Sequence, residues 1–455
     1  MELTFSELLE GLNGKVIIEG SNKEFNKLST DTRTLEERNV FLALKGENFN
    51  GNKYVKNAFE KGATIIVIDE ILEDLSEYVD KCTIIKVNDG NEALLSLAKY
   101  YREKLGIKVV GVTGSCGKTS TKDLVHGFLS EKYKVFKTKG NFNNHIGLPL
   151  MILELDHTYD VAVLELGMSN LGEIDVLANC SRPDIALITN IGLSHIENLK
   201  TRDNILKAKM EITNFFNKDN TLIVNAEDDL LAELKEYSFK IIKTGYNNSF
   251  NIYAENIILN KETTKFTAVY NNERYDFVLP MVGAHNVLNA LLAIGAAIEL
   301  GVSFDEMIKG LINMENTSMR LEFIEGNDIT IINDCYNASP DSMKAAIDVL
   351  SGYGEGRKIA ILGTMNELGD EAIKSHTEVG EYASSRIDLL ITTGEFKDNY
   401  RNGFGNENIE IYNSKHELIN SLKNIIKKDD VILVKASRGI KFEEIVTELK
   451  DIIPN

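Results

Sequence analysis

The most specific chemistry in this chain is carried by Gly111-Val112-Thr113-Gly114-Ser115-Cys116-Gly117-Lys118-Thr119-Ser120. Glycines let such a loop wrap its N–H groups round a polyphosphate, and a helix N-terminus adds positive potential. A lysine can then reach the outer phosphates and a threonine hydroxyl can hold Mg2+. Val109-Val110 precedes the stretch and the amphipathic segment Lys122 to Leu129 follows it, which gives strand, loop and helix in that order. The reading is a nucleoside triphosphate site, with Gly114, Ser115, Cys116, Gly117, Lys118, Thr119 and Ser120 on the phosphates. Five residues separate Gly111 from Gly117, one more than in the common P-loop, so this is the T-G-S-x-G-K-T variant. A chance glycine-rich turn is the alternative, and the ordered succession argues against it. Cys116 reads either as a thiol whose pKa the loop's positive potential lowers or as a small buried filler.

Other polar residues follow apolar runs. Val161-Ala162-Val163-Leu164 leads into Glu165-Leu166-Gly167, and Asp184-Ile185-Ala186-Leu187-Ile188 into Thr189-Asn190-Ile191-Gly192, with His195 just beyond. Thr221-Leu222-Ile223-Val224 leads into Asn225-Ala226-Glu227-Asp228. Continuous apolar strands alternating with helices argue a parallel sheet, whose ligands gather at the carboxyl ends of the strands. These tails therefore belong beside the phosphates. A carboxylate (Glu165) and an imidazole (His195) suit a metal beside a triphosphate, although Mg2+ prefers oxygen. On position alone, His195 reads better as a loop histidine without a ligand role, and Lys209 as part of a solvated helix face.

The elements that position these residues fall into three α/β units, expected at 1–105, 106–315 and 316–455. The first holds a helix beginning at Thr4-Phe5, strands at Asn39 to Leu44, Ala63 to Ile68 and Thr83 to Val87, and a helix from Asn91 to Leu105. Its loops Ser29-Thr30-Asp31-Thr32-Arg33 and Lys45 to Asn52 read as turns or as a site on composition alone. In the second unit, short alternating strands from about 250 to 280, with Asn271-Asn272 at a turn, read as an antiparallel excursion, and a helix from His285 to Leu300 closes it. The third has strands at Ile329 to Ile332, Lys358 to Leu362, Leu389 to Thr392 and Val431 to Val434. It is Rossmann-like but lacks G-x-G-x-x-G, so nothing in it demands a dinucleotide.

At 455 residues and 43% apolar content, the chain has enough material for about three cores of roughly 150 residues each. A net charge of −19 disfavours nucleic-acid partners, which need clustered Lys and Arg. No targeting pattern and no membrane-spanning apolar run is evident, so a cytoplasmic, monomeric protein acting on small molecules is expected. Cys82, Cys116, Cys180 and Cys335 have no disulfide or metal spacing and are expected as free thiols.

Taken in order, these residues resemble the Mur ligase family of ATP-dependent amide-bond ligases, nearly end to end. The resemblance implies that Gly111 to Thr119 is the phosphate loop, with Lys118 catalytic. It makes Glu165 and the histidine of Thr189-Asn190-Ile191-Gly192-Leu193-Ser194-His195 magnesium ligands together with Thr119, and Lys209 the lysine carried as a carbamate, an anionic fourth ligand. Gly283-Ala284-His285-Asn286 with Asn289 would meet adenine, while Arg320 and Asp334 would contact nucleotide, Arg320 also offsetting charge in catalysis. The stretches Thr138 to Pro149 and Asp334-Cys335-Tyr336-Asn337-Ala338-Ser339-Pro340 resemble the branch that adds D-alanyl-D-alanine. They imply substrate contacts at Asn141, Asn143, Asn144, Tyr336 and Asn337. Asp31, Thr32, Arg33, Gly46 and Asn50 would face a uridine nucleotide, and Ser437 with Arg438 would take the dipeptide carboxylate.

The implied cofactors are ATP and Mg2+, and the implied reaction runs through an acyl phosphate, with the third domain closing over the second. Further matches are Gly363-Thr364-Met365-Asn366-Glu367-Leu368-Gly369 and Lys435-Ala436-Ser437-Arg438. Three places depart from the family pattern: Ser339 for Asn, Ala436 for Gly, and Asn50-Gly51-Asn52 for Asp-Gly-His. A ligase adding a single amino acid, a polyglutamylating relative and a P-loop switch ATPase remain as alternatives.

Overall fold

Three sheets succeed one another along the chain in a computed structural model that describes residues 1–235, 237–312, 314, 317–326 and 329–452. The boundary expected between 315 and 316 lies outside these residues. The first sheet is ordered 15–18, 83–86, 65–68, 40–42, 28–29, with only the 15–18 strand antiparallel. Thr4 starts the helix Phe5–Gly11 with a reciprocal capping box to Glu7. Asp89 caps the helix Gly90–Leu105, which Gly106 ends at φ 65°. That helix packs on Gly147–Leu153 and Glu173–Ser181 of the second unit. Its Arg102 Nε donates to the carbonyl of Ser181 at 2.9 Å, so the first unit is anchored to the second by more than its linker.

The central sheet has nine strands in the order 273–279, 264–270, 252–259, 240–245, 221–225, 185–188, 108–113, 161–165, 135–137. Strand Lys108–Thr113 lies between Ile185–Ile188 and Val161–Glu165 and is parallel to both. The chain leaves it first towards one side of the sheet and later towards the other, which makes its carboxyl end a topological switch point, where a crevice opens. The strands from 252 to 279 are antiparallel to one another as expected, but they continue this same sheet through a parallel pairing of Thr244–Gly245 with Ile252–Tyr253. Asn271 and Asn272 both take positive φ, 51° and 65°, the conformation a two-residue hairpin turn requires. The helix after the phosphate loop starts at Lys118, four residues ahead of the apolar signal, because polar Lys118-Thr119-Ser120 lines the crevice. The apolar helix Ala284–Glu299 packs on that helix beneath the sheet.

The third sheet runs 322–326, 329–333, 431–435, 358–362, 389–393, 409–412, parallel except for its first strand. Helices Ala372–Ser384 and Lys397–Phe404 cross at glycine against backbone. A Cβ on Gly403 would lie 1.9 Å from the Thr377 carbonyl, and one on Gly380 would lie 2.5 Å from that of Tyr400. Gly403→Ala is therefore expected to cost about 1–3 kcal/mol of stability, read as a lower urea midpoint; an unchanged midpoint would contradict this close crossing.

Two departures from the family pattern have physical readings. Ser339 caps the helix Pro340–Gly352 with Ser342, a role in which Ser and Asn are interchangeable. Ala436 is tolerated because its Cβ faces Gly363, where a Cβ would lie 2.8 Å away.

Candidate active site

The phosphate loop is shaped by residues of the neighbouring strand end. Ser115 N–H donates to the Asn190 carbonyl at 3.1 Å and Cys116 N–H to Asn190 Oδ1 at 2.9 Å. Thr189 Oγ1 donates to the Cys116 carbonyl. Gly114 has φ 151°, and a Cβ there would sit 1.7 Å from Thr189 Oγ1, so only glycine fits. Gly117, at φ 83°, turns the chain directly into the helix. The first-turn N–H groups of that helix have no intrahelical partner, and their residues line a cavity of about 740 Å³.

In this cavity the structure brings together Ser115, Cys116, Gly117, Lys118, Thr119, Ser120, Asn141, Asn143, Asn144, Glu165 and His195, with Asn286, Asn289, Arg320, Asp334, Tyr336 and Asn337. Lys118 Nζ folds back onto the Gly114 carbonyl at 2.8 Å, and burial lowers its pKa. Burial also raises the Cys116 thiol, outweighing Lys435, Arg320 and Lys118. This corrects the idea of an activated cysteine, and all four cysteines are free. His285 lines the same cavity, with its pKa pushed down to about 4 by burial. Arg320 stacks on the Tyr336 ring at 4.2 Å, and its Nε is buried without a partner. Asp334 accepts from Lys435 Nζ and from the Leu321 N–H, so its carboxylate is already engaged within the third unit.

Glu165 is 3% exposed. Its Oε2 accepts from Thr119 Oγ1 and its Oε1 from Asn143 Nδ2, both at 3.0 Å. Among the described residues it has no ion-pair partner, and a buried carboxylate in that position calls for a cation. Thr119 and Glu165 offer the hard oxygen donors that Mg2+ prefers. Among the described residues no group of three or more His, Cys, Asp or Glu converges on a metal site.

Lys209 is 1% exposed, which corrects the reading of a solvated helix face. Burial, with Lys118 adding to it, lowers its pKa well below the ordinary value. Burial thus disfavours the charged ammonium at this position.

A second cavity of about 370 Å³ is lined by Ser437, Arg438, Gly439, Asn366, Gly140, Asn141, Tyr336, Asn337 and Glu367. Asn141, Tyr336, Asn337 and Glu367 also line the first cavity, so the two spaces share a wall. Ser437 Oγ already accepts the Asn366 N–H at 2.9 Å, whereas Arg438 is half exposed beside Glu443.

Asp31, Thr32, Arg33, Gly46 and Asn50 line neither cavity. Arg33 and Asp31 pair with each other at 2.6 Å on the surface of the first unit. Gly46 lies in a two-strand turn against Phe49, and Asn50 Nδ2 donates to Glu70 Oε2 at 3.0 Å. Asn52, at the place of the usual histidine, donates to Asp69 Oδ1 at 2.6 Å and so ties this loop down. Reading residue types alone left Glu367, Lys435 and His285 out of the site. The signal was present, since all three fall within the stretches 363–369, 435–438 and 283–286 that the family resemblance had marked.

Comparison with known proteins agrees with this geometry. The chain matches the models of the Mur ligase middle domain over residues 112–297, the Mur ligase glutamate ligase domain over 319–438 and the Mur ligase family catalytic domain over 24–102. It is 42% identical to the UDP-N-acetylmuramoyl-tripeptide–D-alanyl-D-alanine ligase of Bacillus subtilis, over 93% of this chain and 92% of that protein. It is 32% identical to the enzyme of the same name from Escherichia coli, over 99% of each. Among solved structures, MurF from Acinetobacter baumannii superposes with a TM-score of 0.91 at 31% identity, covering 98% of both chains. MurF from Thermotoga maritima in complex with ADP superposes with a TM-score of 0.83 at 27% identity, covering 94% of this chain and 98% of that one. With a phosphate loop at a sheet switch point, a buried unpaired glutamate, a buried lysine and matching domains along its length, the chain belongs to the Mur ligase family.

Proposed function

We propose that this ligase joins D-alanyl-D-alanine to the free carboxylate of UDP-N-acetylmuramoyl-tripeptide, with cleavage of ATP to ADP and phosphate. The observation that carries this reading is the shared wall of the two cavities. A phosphorylated acyl group formed at the phosphate loop would lie next to an amine held in the second cavity.

A carboxylate is a poor electrophile, and its oxygen must first take the γ-phosphoryl group. Two anions meet in that step. Lys118, the first-turn N–H groups and Arg320 offset their repulsion. Asn286 and Asn289 border the adenine end, and Asp334 holds Lys435 at the edge of the same space. The amine of the dipeptide then attacks the acyl carbon, an amide bond forms, and phosphate leaves. Arg438 suits the dipeptide's carboxylate through bidentate pairing, with Ser437 fixing the Asn366 loop beside it. Asn141, Asn143, Asn144, Tyr336 and Asn337 face the reacting ends of the two substrates. Asp31, Thr32, Arg33, Gly46 and Asn50, remote from both cavities, suit the distant uridine end of a long substrate. By this reading 1–105 binds UDP-substrate, 106–315 binds ATP and 316–455 binds the dipeptide.

Thr119, Glu165, His195 and a carbamate of Lys209 would hold Mg2+, which supplies positive charge to the transferring phosphoryl group. With its ammonium form disfavoured by burial, the Lys209 amine would add to CO2, releasing a proton, and gain the anionic oxygen this role needs. One chain supplies the whole site, which supports a monomer. Among the described residues no helix is long and apolar enough to cross a membrane, and the nucleotide substrates support a cytoplasmic enzyme.

The test is phosphate release by the purified protein with UDP-muramoyl-tripeptide, with and without D-alanyl-D-alanine. Release that requires both, with a product heavier by one dipeptide, is expected. Release with single amino acids would move the chain to an earlier step, and release without substrate would make it a switch ATPase.

A further inference from the structure

The third unit reaches into the metal side of the site through one carboxylate. Glu367 Oε2 lies 2.7 Å from His195 Nδ1, at ion-pair distance although outside the angles of a hydrogen bond. The two residues belong to different sheets, His195 following a central strand and Glu367 a strand of the third unit. Their backbones also meet, since the Glu197 N–H donates to the Glu367 carbonyl at 3.1 Å.

The loop that delivers Glu367 is fastened at successive residues. Tyr400 Oη donates to the Gly363 carbonyl at 2.9 Å. The N–H of Met365 donates to His376 Nε2 and that of Asn366 to Ser437 Oγ, both at 2.9 Å. His376 is fully buried, and its Nδ1 faces the Ala372 carbonyl at 2.6 Å. An acceptor role at Nε2 puts its proton on Nδ1, so this histidine clamps loop to helix in one tautomer. Glu367 itself has φ 66°, and His195 has φ 64°. Both are non-glycine residues in the left-handed region, a strained conformation that persists only where surroundings impose it. The loop is thus built to hold one carboxylate against one imidazole.

A carboxylate on one ring nitrogen of a histidine keeps the proton there and leaves the lone pair on the other nitrogen for a metal. We propose that Glu367 is a positioning residue that fixes the tautomer and ring orientation of His195 from across the domain boundary, so that the metal side of the site is complete only when the third unit is docked. The proposal rests on the reading of His195 as a Mg2+ ligand. It makes docking and cation binding cooperative, because each stabilises the arrangement the other needs.

The test is Glu367→Gln, compared with Glu367→Asp, in the full chain. The Glu367 side chain is half exposed, so the fold is expected to survive, with an unchanged thermal midpoint as the check. Ring-nitrogen chemical shifts of 15N-histidine protein, free of metal and nucleotide and assigned for His195 by its loss in His195→Gln, read the tautomer directly. Wild type is expected to hold the proton on Nδ1, Glu367→Gln to give a mixture, and Glu367→Asp to restore part of the preference. In turnover, Glu367→Gln is expected to raise the Mg2+ concentration for half-maximal rate by about 10-fold or more. The same tautomer in wild type and Glu367→Gln, or an unchanged Mg2+ requirement, would overturn the proposal. The nitrogen measurement is independent of ligase activity, so it stands or falls apart from the assigned reaction.

Discussion

Lys118→Ala is expected to lower kcat/KM for ATP by about 10³-fold or more, the range seen when a cation on a transferring phosphoryl group is removed. Among the described residues the ammonium has only the Gly114 carbonyl as a hydrogen-bond partner, at 2.8 Å, and burial lowers its pKa. A triphosphate supplies the missing counter-charge. The gain on binding is large because the free site is poorly solvated. The sign of the pH dependence follows: as pH rises through the lowered pKa, free enzyme loses the ammonium and ATP binding weakens. Calorimetry of nucleotide binding together with phosphate release checks both statements. A variant with wild-type turnover would remove the loop from the catalytic centre.

Loss of Lys209 is the second large effect. Lys209→Ala is expected to reduce turnover by about 10²–10³-fold, with partial recovery when a small carboxylate such as formate is added. An amine that is 1% exposed and whose pKa is driven well below its ordinary value, chiefly by burial, is poorly suited to act as a cation. As a carbamate it presents an anionic oxygen, and a diffusible carboxylate of similar shape can stand in for that oxygen once the side chain is gone. Depletion of CO2 should slow the wild type and leave the alanine variant unaffected. Wild-type activity indifferent to CO2, with no recovery by formate, would leave Lys209 a packing residue.

Much of the fold was legible because apolar runs and breakers are local properties. Val109-Val110 followed by three glycines, Lys and Thr can be little other than strand, loop and helix. The runs at 161–164, 185–188 and 358–362 are strands buried on both faces, as their continuous apolar character indicates. Weaker patterns were not legible. Strands Lys15–Ile18 and Ile409–Tyr412 sit at sheet edges with mixed burial, where alternation is incomplete and propensity undecided. The start of the 118–129 helix was hidden because its first turn serves the phosphate site rather than the core.

The site divides along the same line. Residue types and spacing by themselves determined the phosphate loop, the parallel sheet behind it and the order of motifs that resembles the Mur ligases, since each depends on neighbours within a few positions. Only the tertiary structure decided that Lys209 is buried, that burial raises the pKa of the Cys116 thiol, that Asp334 is already paired with Lys435, and that Glu367 meets His195. Those states arise from desolvation and from charges brought together over long separations in the chain, such as the 101 residues between Asp334 and Lys435. Proximity of that kind has no signature in local sequence, because folding creates both the contact and the low dielectric that gives it force.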